Sequence, residues 1–183
     1  MNLIYGTNDW KDAVTGEQQC YLLTNGLGGF SSLTITGANA RNDQALLMAS
    51  LNAPVTRYHM VTNITETVET EGRSYNLSAQ RFVDQTKNGN GYEYLDSFDY
   101  EYLPTWYYRT GNVRLKKSIC MIQGENTVAV LYEVKSPSDG LLTLEPWFQF
   151  VPKGEKTEKT QVYNIEDNKI ISNNITLYFD TNG

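Results

Sequence analysis

The sequence predicts an all-β protein in the form of a large two-sheet antiparallel β-sandwich with little helix. Apolar residues recur with a period of two in many short runs, as expected for strands that bury one face. Turn-forming residues separate these runs at intervals of roughly 8–12 residues, which is typical of sandwiches and barrels. No segment of a dozen residues carries the apolar stripe of a helix. A single sandwich over residues 1–183 accounts for the whole chain.

The first expected pair of strands surrounds a glycine-rich turn at residues 22–30. Three glycines follow Asn25 within four positions: Gly26, Gly28 and Gly29. Glycine adopts positive φ without steric cost and allows other backbone to approach closely, and Asn favours the same left-handed turns. We therefore expect one strand to end near Leu23 and another to begin at Phe30. The turn lacks the Lys-Ser/Thr ending and the following helix of a phosphate-binding loop.

Alternating apolar and polar side chains mark further strands along the chain. They are expected near 19–23, 30–36, 44–50, 58–64, 72–77, 92–101, 105–109, 112–122, 161–165, 169–173 and 175–180. An exposed loop is expected at 87–91 and a charged connection at 153–160. The last expected strand lies three residues from the end of the chain, a pattern often produced when a domain is cut from a longer protein.

The cleanest alternation runs from Val128 to Val134 and resumes at Leu142. Between these runs lies the segment Ser136-Pro137-Ser138-Asp139-Gly140, which consists of turn-forming residues. We therefore expect the two runs to form a β-hairpin.

The charge and the composition exclude several classes of function. The net charge is −6, which disfavours nucleic acid and anionic membrane surfaces as partners, because Lys and Arg dominate binding to phosphates. The N-terminus has no signal-peptide pattern, and no apolar run approaches the roughly 20 residues of a membrane span. Cys20 and Cys120 are expected to be reduced, buried thiols. These features predict a cytoplasmic protein, and a neutral partner such as a sugar remains compatible with them.

Few residues carry the chemistry of a catalytic or metal site. His59 is the single histidine, so we expect no Ser-His-Asp or Cys-His arrangement and assign His59 a structural role. Cys20 and Cys120 lack the spacing of a metal-binding pair. We therefore expect no catalytic residue, no metal site and no cofactor. Trp10, Trp106 and Trp147 are candidates for stacking on sugar rings, with core packing or interdomain contact as the alternative.

An ordered set of motifs covers roughly residues 18–150. The set comprises the glycine-rich block at 22–30, then segments at 37–41, 45–49, 54–57, 98–100, 103–108, 115–121 and 124–128. In order and spacing this set resembles the N-terminal domain of bacterial and archaeal glycogen debranching enzymes of the amylo-α-1,6-glucosidase type. The chain departs from the family pattern at 42–45, which lacks a basic residue, Tyr, His and Gly, and at 151–154, which lacks Arg and His.

The resemblance implies a supersandwich-like, non-catalytic accessory domain. In that family the domain precedes an α/α-barrel catalytic domain of glucoamylase type, whose acidic residues hydrolyse α-1,6-linked glucose, and no such barrel is present in these 183 residues. The implied partners are this barrel and an α-glucan such as glycogen. The parent protein would be a glycoside hydrolase of glycogen catabolism, and this chain alone would be inactive.

The resemblance also indicates which residues contact the glucan or the barrel. The candidates for substrate binding or interdomain contact are Asn25, Gly26, Gly28, Gly29, Arg41, Arg57, Trp106 and Trp147. For the two arginines, the alternative is an ordinary surface salt bridge. Two other functions remain open for the chain: an independent α-glucan-binding module without catalysis, and a self-standing enzyme, which only scattered carboxylates support.

Overall fold

A computed structural model describes residues 3–82 and 89–182. The described residues contain one short helix, α1 (Ala13–Gly16), and one 3-10 turn (Gly91–Tyr94). All other regular elements are strands, so the prediction of an all-β fold with little helix is confirmed. The strands are β1 (Leu3–Gly6), β2 (Leu23–Thr24), β3 (Phe30–Ser32), β4 (Ala45–Asn52), β5 (Thr56–Thr70), β6 (Arg73–Asn76), β7 (Leu95–Tyr100), β8 (Pro104–Thr110), β9 (Val113–Met121), β10 (Val128–Lys135), β11 (Gly140–Pro152), β12 (Asn164–Glu166), β13 (Lys169–Ser172) and β14 (Ile175–Tyr178).

The strands form two large antiparallel sheets and a small third one. The first sheet has the order β1-β7-β8-β9-β10, in which β7 to β10 follow one another as hairpins. The second has the order β11-β5-β4-β3-β2, with β6 also paired to β5. Strand β5 pairs with β11 from Tyr58 to Thr70, and its other edge pairs first with β4 and then with β6. Strands β12 to β14 form the third sheet. No helix in this part of the chain is long and apolar enough to cross a bilayer.

Most of the expected strands are present, with differences at their ends. The tight turn between Leu23 and Phe30 is confirmed, since β2 and β3 pair across it. The expected strand at 19–23 is reduced to β2 and an isolated bridge between Cys20 and Thr34. The start of the expected strand at 92–101 is a 3-10 turn, and β1 was not expected. Part of the loop expected at 87–91 lies outside the described residues.

The prediction of a β-hairpin over residues 128–144 is wrong. Strand β10 pairs with β9 in the first sheet, whereas β11 pairs with β5 in the second. The segment between them therefore crosses from one sheet to the other. Turn-forming residues specify a reversal of the chain, but the hydrogen-bonding partner of each strand depends on which other strand edge is available. Here β9 and β5 offer those edges.

The core lies between the two large sheets and is centred on Trp106 of β8. This side chain is completely buried, and its Nε1 donates a hydrogen bond of 2.9 Å to the carbonyl oxygen of Ile35. Its ring lies 5.0 Å from that of Phe98 and 5.5 Å from that of Tyr21, measured between ring centroids. Such tilted and edge-on arrangements are favoured between aromatic rings. The cluster therefore joins the first sheet to the segments that lead into the second.

A charged pair is buried in the same core. The Nζ of Lys117 in β9 lies 2.6 Å from Oε1 of Glu66 in β5, and both side chains are almost inaccessible to solvent. The hydroxyl of Tyr132 donates to the same Glu66 oxygen at 2.6 Å. Lys117 Nζ also lies 5.7 Å from the centre of the Trp106 ring. Burial and the Glu66 carboxylate raise the pKa of Tyr132 above its ordinary value, so its hydroxyl remains a donor. The pair links the two sheets directly.

We expect Lys117→Met to lower the free energy of unfolding by about 3–5 kcal/mol, because it leaves the Glu66 carboxylate buried without its counter-ion. Urea denaturation measures this change. The double variant Lys117→Met/Glu66→Gln should recover a large part of the loss, because it removes the isolated charge. Lys116→Met is the matched control: Lys116 pairs with Glu133 on the exposed face, and its removal should have no measurable effect. A loss no larger for Lys117→Met than for Lys116→Met would contradict this account.

His59 is buried in β5. Its Nε2 has no hydrogen-bond partner among the described residues, and desolvation lowers its pKa to about 4. No group of three or more His, Cys, Asp or Glu side chains within residues 3–82 and 89–182 is placed to hold a metal ion. The neutral imidazole therefore belongs to the interior of the sandwich.

His59 should make the protein less stable as the pH falls from about 6.5 to about 4. In that range the unfolded chain binds a proton at His59 at its ordinary pKa, whereas the folded chain does not bind it until about pH 4. The unfolded state then binds more protons, so stability decreases with decreasing pH. We expect the urea midpoint of His59→Gln to depend less on pH over this window than that of the unchanged protein. Parallel curves for the two proteins would exclude the effect.

Candidate functional site

The glycine-rich turn requires its glycines because other backbone lies against it. Gly26 and Gly28 have φ of 77° and 97°, in the region that residues other than glycine rarely adopt. A Cβ added at Gly28 would lie 2.7 Å from the carbonyl oxygen of Pro54, and one added at Gly29 would lie 2.9 Å from that of Met48. The turn is therefore packed tightly against the end of β4 and the loop that follows it.

The side chain of Asn25 holds this turn from the inside. Its Oδ1 accepts hydrogen bonds from the backbone N–H groups of Leu27 at 2.9 Å and Gly29 at 3.0 Å. Its Nδ2 donates to the carbonyl oxygen of Glu125 at 2.8 Å and to Oδ1 of Asn126 at 3.1 Å. All four hydrogen-bonding positions of this buried amide are thus used within the protein. Asn25 joins the glycine turn to the loop between β9 and β10.

A second group of amides shapes the loop at residues 37–44. The side chain of Asn39 donates to the carbonyl oxygens of Gln44 and Thr62. Oε1 of Gln44 accepts from the backbone N–H groups of Ala40 at 2.7 Å and Arg41 at 3.2 Å. Gln44 is itself buried. These bonds fix the backbone of Arg41 while its side chain extends into solvent.

The glycine turn and this loop border a common cleft of about 430 Å³, which we call the glycine cleft. Five of the predicted site residues line it: Gly26, Gly28, Gly29, Arg41 and Arg57. The Nε of Arg57, near the start of β5, donates to the carbonyl oxygen of Gly28 at 2.7 Å. This bond ties the guanidinium to the turn. The structure therefore brings together residues that are up to 31 positions apart in the sequence.

Eight residues that line the glycine cleft were not among the predicted site residues, and Phe30, Asp43 and Lys153 are three of them. The backbone N–H of Lys153 donates to the carbonyl oxygen of Arg57 at 2.8 Å. Its Nζ lies 3.8 Å from Oδ2 of Asp43 and 5.8 Å from the centre of the Phe30 ring. Asp43 and Lys153 lie in the two segments that depart from the family pattern. Those departures were the sequence signal that could have identified them.

The other predicted site residues lie apart from the surface of the glycine cleft. Trp106 is in the core and offers no exposed ring face. Trp147, on β11, is half-buried and packs against Phe82, with ring centroids 5.6 Å apart and planes at 33°. Asn25 supports the glycine turn from beneath. The contact of these side chains with a glucan or a second domain stays a prediction.

Both cysteines are free, but only part of the expectation for them is confirmed. Cys20 is exposed and lies at the glycine cleft, and Cys120 is half-buried. The expectation of a buried Cys20 is wrong, because the residue lies in the short bridge next to β2 rather than inside a long strand. A second cleft of about 640 Å³ lies beside the third sheet, within residues 151–174. It contains none of the predicted site residues.

The fold and the cleft define an all-β domain with a glycine-bordered cleft. The family model described as "Glycogen debranching enzyme N terminal" matches residues 19–182. The chain therefore belongs to the family of glycogen debranching enzyme N-terminal domains. The match extends beyond residue 150, where the ordered motifs end, and includes the third sheet. No curated protein and no solved structure matches the chain.

We expect Asn25→Ala to lower the free energy of unfolding by roughly 2–4 kcal/mol, because it leaves several buried polar groups without a partner. Chemical denaturation measures the loss. Asn42→Ala is the control, since Asn42 is exposed and surface changes of this kind have small effects. Equal stability of the two variants would show that the amide contacts of Asn25 do not hold the turn.

Proposed function

We propose that this chain is the non-catalytic N-terminal domain of a cytoplasmic glycogen debranching enzyme, an amylo-α-1,6-glucosidase of glycogen catabolism. In this proposal it packs against a glucoamylase-type α/α-barrel catalytic domain and helps to shape the glucan site. The observation that carries the proposal is the glycine cleft, because three of the motifs on which the family resemblance rests, at 22–30, 37–41 and 54–57, meet there.

The size and lining of the glycine cleft support a role in carbohydrate binding. Its volume of about 430 Å³ lies in the range of ligand pockets, about 300–1,000 Å³. Phe30 and Leu22 supply apolar surface, and Arg41, Arg57 and Asp43 supply hydrogen-bonding groups. Sugars present both C–H faces and hydroxyl groups, so this combination suits them.

The lining of the glycine cleft also supports the absence of catalysis in this chain. Glycoside hydrolysis generally needs two carboxyl groups on either side of the scissile bond. Asp43 is the one carboxylate among the described residues that line the cleft. A second carboxylate would have to come from another domain. The proposal therefore assigns hydrolysis to the catalytic barrel and binding to the domain that we describe.

An apolar surface along two strand edges supports packing against a second domain. Within residues 3–82 and 89–182, strands β10 and β11 each have one neighbouring strand, so each leaves an open edge there. Large apolar side chains are exposed along them: Leu131 is 50 % exposed, Val134 47 %, Leu141 59 % and Leu144 39 %. Open strand edges are normally covered or protected, and exposed apolar side chains beside them gain from being covered by another domain. We assign this surface to the contact with the rest of the debranching enzyme.

The size of the native protein tests the proposal. An antibody to this chain should detect a band several times larger than 20.8 kDa in cells that produce it, because the catalytic barrel belongs to the same protein. The purified 183-residue chain should show no α-1,6-glucosidase activity.

A native band at about 20.8 kDa would contradict the proposed place in a larger enzyme. Retardation of the chain in native gels that contain glycogen would then favour the independent glucan-binding module. Glucosidase activity of the purified chain would contradict its non-catalytic role.

A further inference from the structure

We propose that the glycine cleft binds an anionic carbohydrate, with a phosphate group held by Arg41, Arg57 and Lys153, in preference to a neutral sugar. The phosphate could belong to a free sugar phosphate or to a phosphorylated glucan, since both present the same chemistry. The inference deepens the proposed function and rests on it for the choice of a carbohydrate. The preference for an anion rests on the cleft alone.

The charge of the glycine cleft is opposite to that of the chain. Among its described lining residues, three are cationic, Arg41, Arg57 and Lys153, and one is anionic, Asp43. The cleft therefore has a net charge of +2, from 3 − 1, whereas the whole chain has a net charge of −6. A concave surface lined with one sign of charge concentrates the field and attracts ligands of the other sign.

The two arginines have guanidinium groups available to a ligand. The Nε of Arg57 is used by the carbonyl oxygen of Gly28, which holds the planar group in place. Within the described part of the chain, neither Nη atom of Arg57 has a hydrogen-bond partner. The side chain of Arg41 also has no partner there, and the side chain of Gln44 holds the Arg41 backbone in place. Paired N–H groups of a guanidinium match the geometry of phosphate oxygens. Pre-oriented groups of this kind lose less entropy when they bind.

Lys153 supplies a third charge that is weakly engaged. Its Nζ lies 3.8 Å from Asp43, well beyond the roughly 2.7–2.9 Å of a charge-assisted hydrogen bond. A phosphate would therefore meet little competition from the carboxylate. The nearby ring of Phe30 and the exposed side chain of Leu22 offer an apolar surface to the C–H face of a sugar ring. This surface is the reason for proposing a sugar phosphate rather than inorganic phosphate.

Calorimetric titration of the whole chain with glucose 6-phosphate, inorganic phosphate and glucose tests the inference. We expect glucose 6-phosphate to bind most tightly, inorganic phosphate less tightly, and glucose at least roughly tenfold more weakly than its phosphate. The affinity for glucose 6-phosphate should fall with increasing salt, because salt screens the exposed charges.

Three variants and a control locate the binding in the glycine cleft. Arg41→Gln and Lys153→Gln should each weaken binding of glucose 6-phosphate by roughly fivefold to tenfold, and neither removes a structural bond of the turn. Asp43→Asn removes the one opposing charge and should tighten binding. Arg114→Gln is the matched control, because Arg114 is an exposed arginine on β9 outside the cleft, and it should leave the affinity unchanged.

Each remaining outcome overturns the inference. Glucose that binds as tightly as its phosphate would exclude an anion site but would still support the proposed role in glucan binding. Equal affinity for inorganic phosphate and glucose 6-phosphate would exclude the carbohydrate. No binding of any of the three ligands at millimolar concentration would exclude the site itself. The proposed function is tested by the size of the native protein, which is measured independently of these affinities. A failure of the proposed function can therefore be told apart from a failure of this inference.

Discussion

The buried ion pair of Lys117 and Glu66 is the interaction that fixes how the two large sheets pack against each other. Removing two charges from water costs several kcal/mol per ion, and only close contact with additional hydrogen bonds offsets that cost. Here the carboxylate accepts from both Lys117 and Tyr132. A slip of one sheet against the other would leave a charge buried alone, so the pair disfavours alternative registers. Apolar contacts supply the driving force for packing, whereas this pair selects one arrangement.

The same constraint extends to the glycine cleft through β5. This strand carries Glu66 in the core and Arg57 near its beginning, nine residues earlier. Its neighbour β11 ends at Pro152, and the backbone N–H of the next residue, Lys153, donates a hydrogen bond to the carbonyl oxygen of Arg57. The position of two cleft cations thus follows from the pairing of β5 with β11 and from the packing of β5 against the first sheet. The side chains of Asn25 and Gln44 then complete the cleft by holding its two loops.

The motif residues fall into two groups with different physical roles. Asn25 and the glycines maintain a turn into which other backbone packs closely, and Trp106 fills the core. Arg41 and Arg57 instead present charge to the surface of the cleft. The opposite charge, Asp43, and the third cation, Lys153, lie where the chain departs from the family pattern. Two of the three cations of the cleft therefore lie in motifs that resemble those of the family, whereas Asp43 and Lys153 lie where this chain differs from that pattern.

Local pattern was sufficient to predict the all-β class, the glycine turn and most of the strands, because alternation and turn-forming residues act between near neighbours. The resemblance to the family, rather than local pattern, indicated Gly26, Gly28, Gly29, Arg41 and Arg57, which the structure places at one cleft. Local pattern failed for the pairing of β10 and β11, and neither signal indicated Lys153, since partners in a sheet and neighbours in a cleft are chosen among segments far apart in the chain. The burial of Lys117 and Glu66 could not be predicted from the sequence either, because a charged residue in an alternating strand is expected to face solvent. Those features depend on how the two sheets pack, a property of the folded chain as a whole.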